Sequence, residues 1–285
     1  MQRAFAQVDV FARVAGPGRV GAPSGNPVAV VCDGDGLDEA AMAAFARWTN
    51  LSETTFIQTP TEPAADYRLR IFSPAGELPF AGHPTLGSAH AWLERGSTTR
   101  RQIVQECRIG LVEIRRDGDR LAFAAPSLRR SGPVEPHVRD RVAAALRLNP
   151  DEIVDAQWVD NGPEWIGVRL RSAQRVLDLT PDMVALGAMK VGVVGEYPPG
   201  EGPDGAAVEV RAFAPGIGVP EDPVTGSLQA GLAMWLRKTR SVPGRYVASQ
   251  GTVLGRAGRV YVADDDSDIW IGGASVTVIE GTVDL

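Results

Sequence analysis

Residues 70–93 read RIFSPAGELPFAGHPTLGSAHAWL, and residues 211–236 read RAFAPGIGVPEDPVTGSLQAGLAMWL. Both carry F-x-P, a Gly/Pro turn, x-P-x-x-G-S and an apolar run. In register, His83 stands opposite Asp222, Pro84 opposite Pro223, Gly87 opposite Gly226 and Ser88 opposite Ser227. A repeat of this spacing implies two similar lobes rather than a short-period solenoid. The copies differ in the polar residue of the turn: one offers an imidazole, the other a carboxylate.

Working outward, each copy follows several short strand patterns and ends in one long helical pattern. In the first half, strands are expected near Val8–Phe11, at 28–32, 51–58 and 67–72, with a helix from Asp38 to Trp48 and the repeated helix closing at Gly96. Asp38 suits an N-cap, Asn50 a left-handed C-cap, and Asp117-Gly118 a hairpin turn. Ala41, Met42, Phe45 and Ala46 fall on one helical face. Residues 126–136, PSLRRSGPVEP, read as a linker. Helices at 137–147 and 181–186 and strands at 153–160, 166–170, 189–194 and 207–213 precede the second copy, and strands at 245–249, 259–263 and 268–279 follow it. The expected class is α+β, with each lobe a curled, mostly antiparallel, barrel-like sheet around a central helix and the active site in the cleft between lobes. The lobes are expected at 1–126 and 137–275, with the tail 276–285 free to pack back on the first.

The chain has 285 residues, enough for two domains with cores of their own. Its formal net charge of −6, without a basic stripe, argues against nucleic acid as a partner. Arg115-Arg116 and Arg129-Arg130 read as solvated faces. No apolar run has the length of a membrane span, and the N-terminus lacks a signal-peptide core. Cys32 and Cys107 lie among apolar neighbours and are expected to be reduced and buried, which suits a cytoplasmic protein.

Proline is favoured at the first helical position, so His83 and Asp222 are expected at or just before helix N-termini. Free N–H groups there favour a carboxylate ligand, and Gly226 and Ser227 permit its close approach. The plain alternative is that Asp222 is an N-cap and His83 a hydrogen-bonded turn residue.

Several pieces together resemble the PhzF-like phenazine-biosynthesis family, which has the diaminopimelate-epimerase fold. They are VDVF at 8–11, GNPVAVV at 25–31, NLSETTF at 50–56, AGHPTLGSAH at 81–90, EDPVTGS at 221–227, QGTVLGR at 250–256 and IGGASVTVIEG at 271–281. The resemblance implies that Glu53 is the acid–base residue. It implies that His83, Asp222 and Ser227 line the substrate site, with the Gly82 and Gly226 backbones beside them. The family's best-known activity isomerises trans-2,3-dihydro-3-hydroxyanthranilate to its ketone tautomer without metal or organic cofactor. A small carboxylate-bearing substrate, no cofactor and a homodimer are therefore expected. Read without the family, Glu53 could equally sit on the exposed side of a strand. Epimerase and racemase relatives carry a pair of cysteines at the helix mouths. Here those positions hold Gly82-His83 and Glu221-Asp222, so two-thiol racemisation is not expected. Residues 12–24 form a longer, more Gly/Pro-rich loop than the family pattern, which leaves room for a different substrate.

Other signals carry less. Gly16 to Gly21 matches a dinucleotide fingerprint but lacks the strand–turn–helix context. His83 and His90, seven apart, want a third ligand for a metal, so no metal site is expected and His90 reads as a packed helix residue. No nucleophile elbow is present. Trp48, Trp92 and Trp235 fit helix core faces. Besides the isomerase reading stand a non-catalytic small-molecule binder on the same fold and an isomerase of another metabolite. Solvent deuterium exchange into substrate separates enzyme from binder.

Overall fold

The computed structural model describes residues 1–14, 23–96, 100–265 and 267–285. The chain forms two compact units, Met1–Ala124 with Gly272–Leu285, and Ala125–Ile271. The loop at 12–24 lies mostly, and the fingerprint-like 16–21 entirely, outside the described residues.

The first unit contains β1 (Gln2–Ala12), β2 (Asn26–Val31), α1 (Glu39–Thr49), β3 (Thr54–Gln58), β4 (Tyr67–Ser73), β5 (Gly76–Leu78), α2 (Gly82–Gly96), β6 (Gln102–Cys107), β7 (Gly110–Asp117) and β8 (Arg120–Ala124). The second contains β9 (Arg130–Pro133), α3 (Pro136–Leu146), β10 (Asp155–Asp160), β11 (Trp165–Arg169), α4 (Ala173–Leu177), α5 (Met183–Leu186), β12 (Lys190–Glu196), β13 (Ala206–Ala214), β14 (Val219–Asp222), α6 (Gly226–Thr239), β15 (Arg245–Gln250) and β16 (Gly258–Asp264). The last strand, β17 (Ile269–Asp284), belongs to the first unit from Gly272 onward.

Strand pairing in the first unit runs β1–β2 antiparallel, β2–β3 parallel, β3–β4 antiparallel, β4–β6 parallel, then β6–β7 and β7–β8 antiparallel. β17 pairs with both β8 and β1, which closes a ring of eight strands. Inside it lies α2, packed against β1, β2, β3, β4, β6 and β8. Such a helix buries every side near its start, its polar His83, Thr85 and Ser88 included. Residues 82–89 and Ala91 are accordingly all buried. Gly87 sets the closest approach: a Cβ there would stand 2.4 Å from Val28 Cγ1 and 2.9 Å from Val10 Cγ2.

The second unit repeats the pairing order, with β10–β11 antiparallel, β11–β12 parallel, β12–β13 antiparallel, β13–β15 parallel and β15–β16 antiparallel. β9 pairs with β10 as β17 pairs with β1. Alternation along the strands sends the two faces to different layers. Ile166, Val168, Val191 and Val193 join Val142, Leu146, Val176 and Leu186 of α3–α5 in one core. The intervening Gly167 and Gly192 face Trp235 and Leu228 of α6. Each fully buried aliphatic side chain in that core contributes roughly 1.5–3 kcal/mol.

Several local expectations hold. The Asp38 carboxylate accepts from the Ala41 N–H at 2.8 Å, and Asn50 ends α1 at φ 54°. The Asp117-Gly118 turn joins β7 to β8. Others are corrected. The linker contains β9, because Arg130–Pro133 complete the edge of β10. Arg130 is not merely solvated: its guanidinium lies 3.5 Å from the Trp158 ring centre and 2.6 Å from Glu135. Trp48 is not a core residue but 79% exposed, stacked on the outer face of Phe45. Cys107 is buried, whereas Cys32 is only half-buried; both are free. No described helix is long and apolar enough to cross a membrane.

Candidate active site

In the first unit, Glu53 ends the turn that follows α1 and immediately precedes β3, rather than lying within a strand as expected; Asn50's left-handed cap directs the chain away before pairing resumes at Thr54. The Glu53 carbonyl accepts from the Ala29 N–H at 3.4 Å, which ties the turn to β2. Next along the chain, the Thr54 and Thr49 hydroxyls lie 2.8 Å apart. Thr55 pairs with Ser88 of α2 at 2.8 Å. Ser88 is thus spent on holding the central helix, and the first copy of the repeat uses its Gly-Ser for packing.

His83 lies in the first turn of α2, as expected for a helix N-terminus, beside Gly82. Its Nε2 is 3.3 Å from Glu53 Oε2, with the two side chains 5% and 17% exposed. Burial pushes the Glu53 carboxyl up to about 7, partly offset by the Ser52 side chain beside it. On the other side of the ring, Asn26 Nδ2 stands 3.4 Å from His83 Nδ1. Asn26 is itself 1% exposed. The result is a line of three residues from β2 through α2 to the turn before β3, ending in the Glu53 carboxyl.

His90, two turns along α2, pairs instead with Glu94 at 3.3 Å, and burial holds its imidazole below the ordinary range. Among the described residues no three His, Cys, Asp or Glu are grouped to hold a metal ion.

In the second unit Asp222 departs from expectation. It is the last residue of β14, and α6 begins only at Gly226, with Thr225 as N-cap. The reason is Gln250, fully buried on β15. Its Oε1 accepts from the Thr225 N–H at 3.2 Å and its Nε2 donates to the Asp222 carbonyl at 3.1 Å. The backbone of 222–225 therefore bonds to a side chain instead of turning into helix. Asp222 is not an N-cap either: its Oδ2 accepts from the Thr225 hydroxyl at 2.6 Å. Occupied in this way, Thr225 makes no side-chain cap to α6. The positive end of the α6 dipole is left without that partner, in keeping with a site for an anion.

Gly226 and Ser227 open α6. Trp165 Nε1 donates to Ser227 Oγ at 3.0 Å, and Asn161 Nδ2 donates to the Ser227 carbonyl at 2.8 Å. With the indole N–H already donating to it, the Ser227 hydroxyl can direct its own proton elsewhere. Glu221 is consumed structurally. Arg211 binds both its oxygens at 2.8 Å and also donates to the Val176 and Leu179 carbonyls. Arg70 and Glu77 form the same two-pronged pair in the first unit.

The model for the phenazine biosynthesis-like proteins PhzC and PhzF matches residues 8–281. The chain belongs to that family. It is an isomerase by that membership, as its similarity to named isomerases also shows. Antisense-enhancing sequence 1 of Schizosaccharomyces pombe is 36% identical, over 98% of both chains. The trans-2,3-dihydro-3-hydroxyanthranilate isomerase of Pseudomonas aeruginosa is 36% identical over 83% of this chain and 84% of that one. Among solved structures, a PhzF-family protein of Enterococcus faecalis superposes with a TM-score of 0.80 at 27% identity, covering all of both chains.

Sequence reasoning passed over Asn26, Asn161, Trp165, Thr225 and Gln250. Two of them were within reach: Asn26 stands in GNPVAVV and Gln250 opens QGTVLGR, both quoted above as family signatures. A polar residue inside an apolar strand run is a signal that it has a buried partner. Asn161 and Trp165 carry no local signal, because only the fold brings them to Ser227.

Proposed function

We propose that this protein moves a proton between carbon atoms of a small, cyclic, carboxylate-bearing metabolite, in a reaction of the trans-2,3-dihydro-3-hydroxyanthranilate isomerase type. The observation that carries the reading is Glu53, a half-buried carboxyl held up to about 7 and facing His83 at 3.3 Å. A group titrating near neutrality is populated in both forms, as an acid–base catalyst must be. Glu53 takes the proton from one carbon as carboxylate and returns it to another as acid. His83 steadies the carboxylate through Nε2. The family resemblance adds Gly82, Asp222, Gly226 and Ser227 as the residues proposed to bind the substrate's polar groups. The chemistry asks for no cofactor, since no electrons leave the substrate.

The narrower assignment to phenazine chemistry is supported by the name of the Pseudomonas relative. The fission-yeast relative, 36% identical over 98% of both chains, carries a different name, which makes the substrate the point to test. The test is incubation of trans-2,3-dihydro-3-hydroxyanthranilate with wild type and Glu53→Gln in deuterated water, followed by NMR. Wild type is expected to turn over with deuterium incorporated, and the variant to lose about 10²–10⁴-fold. Near-normal turnover by Glu53→Gln would remove Glu53 from the mechanism. Exchange into other carboxylates but not this one would redirect the substrate.

A further inference from the structure

Asn26 sits where its side chain has little choice of position. The Ser24 and Gly25 N–H groups both donate to the buried Asp9 carboxylate, at 2.7 to 3.0 Å. Gly25 passes so close to β1 that a Cβ would meet the Val10 carbonyl oxygen at 2.0 Å. Asn26 then pairs with Val10 in the β1–β2 ladder. These constraints place its amide nitrogen 3.4 Å from His83 Nδ1. In this orientation the amide turns its nitrogen, which only donates, toward the ring, and Nδ1 is then the accepting atom. The single proton of the neutral imidazole is then on Nε2, the atom 3.3 Å from Glu53 Oε2.

We propose that Asn26 is a positioning residue that holds neutral His83 in the Nε2–H tautomer. Nε2–H then faces Glu53 Oε2 across 3.3 Å, and the proton in transit is carried on Oε1. The opposite tautomer would present a bare nitrogen to Glu53. That nitrogen would compete for the carboxyl's proton and draw it away from the substrate. The inference rests on Glu53 being the acid–base group, but its first test does not.

The chain has three histidines, so ¹⁵N-histidine NMR resolves them. Above the pH at which the His83 ring loses its charge, the wild type is expected to show a protonated Nε2 and a bare Nδ1. A proton on Nδ1 there would overturn the proposal, whatever the enzyme turns over. Asn26→Asp replaces the donor with an acceptor of the same shape. It is expected to protonate Nδ1 and to lower kcat about 10²-fold, with KM changed far less. Protonated Nδ1 with unchanged kcat would also overturn it. If Asn26→Asp fails to fold, the wild-type spectrum still decides the tautomer. If wild type turns over no dihydro-hydroxyanthranilate but shows the expected tautomer, the substrate assignment fails and the tautomer assignment stands.

Discussion

Replacing Glu53 by glutamine is expected to stabilise the first unit above neutral pH. The folded state holds the Glu53 proton up to about 7, whereas the free side chain releases it near 4.5. Between those values the folded state binds more protons than the unfolded state, so stability falls as pH rises. Below about 4.5 both states are protonated and Glu53 costs nothing; above about 7 the full cost of a buried carboxylate is present. At about 1.36 kcal/mol per pKa unit that cost is about 3 kcal/mol. Glutamine keeps the shape and carries no charge at any pH. Urea unfolding of wild type and Glu53→Gln, followed by tryptophan fluorescence from about pH 4.5 to about pH 8.5, gives the difference directly. The variant should gain about 3 kcal/mol on wild type across that range, and lose turnover under the proposed acid–base role of Glu53. A difference that stays flat with pH, or one in which wild type gains, would refute the argument that burial governs this carboxyl.

Two further outcomes follow from packing and charge. Gly87→Ala would drive a methyl to 2.4 Å from Val28 and should cost about 1–3 kcal/mol in unfolding free energy, measured by denaturant titration. Arg211→Ala strands the buried Glu221 and two carbonyls and should cost about 3–5 kcal/mol. Arg70→Ala should cost less, because Glu77 keeps Arg108 at 3.2 Å. Equal losses in the two arginine variants would show that the remaining Arg108 partner does not lower the cost.

What the sequence made legible was the part written in short-range pattern. The repeat of F-x-P and P-x-x-G-S announced two units, and they carry the same order of parallel and antiparallel pairings. Caps at Asp38 and Asn50 could be read directly because capping involves neighbours within one turn. The position of α6 could not. Proline at 223 suggested an immediate helix start, but Gln250, some 25 residues on, captures the intervening backbone. Likewise, the repeated arginines at 70 and 211 stood in the opening stretches, yet only strand pairing reveals that each grips a glutamate beyond the turn. Glu53 was named by family resemblance and His83 by the repeat as well; their 3.3 Å approach brings the turn before β3 to the start of α2, which has no local signature. Asn26 lies on the β1–β2 ladder opposite Val10 and was missed although it stands in a quoted signature.

The ring of the first unit is completed by β17, inserted between β1 and β8. During synthesis this inverts the order in which the two units can finish. The second unit is one continuous stretch, Ala125–Ile271, and all of it emerges from the ribosome before Gly272 does. At ordinary translation rates the first unit waits on the order of ten seconds with the edges of β1 and β8 open. Those edges are hydrogen-bonding templates for any passing strand. The half of the protein that is made first is therefore the half that closes last, and its exposure to misassembly is set by how quickly the ribosome delivers the final strand.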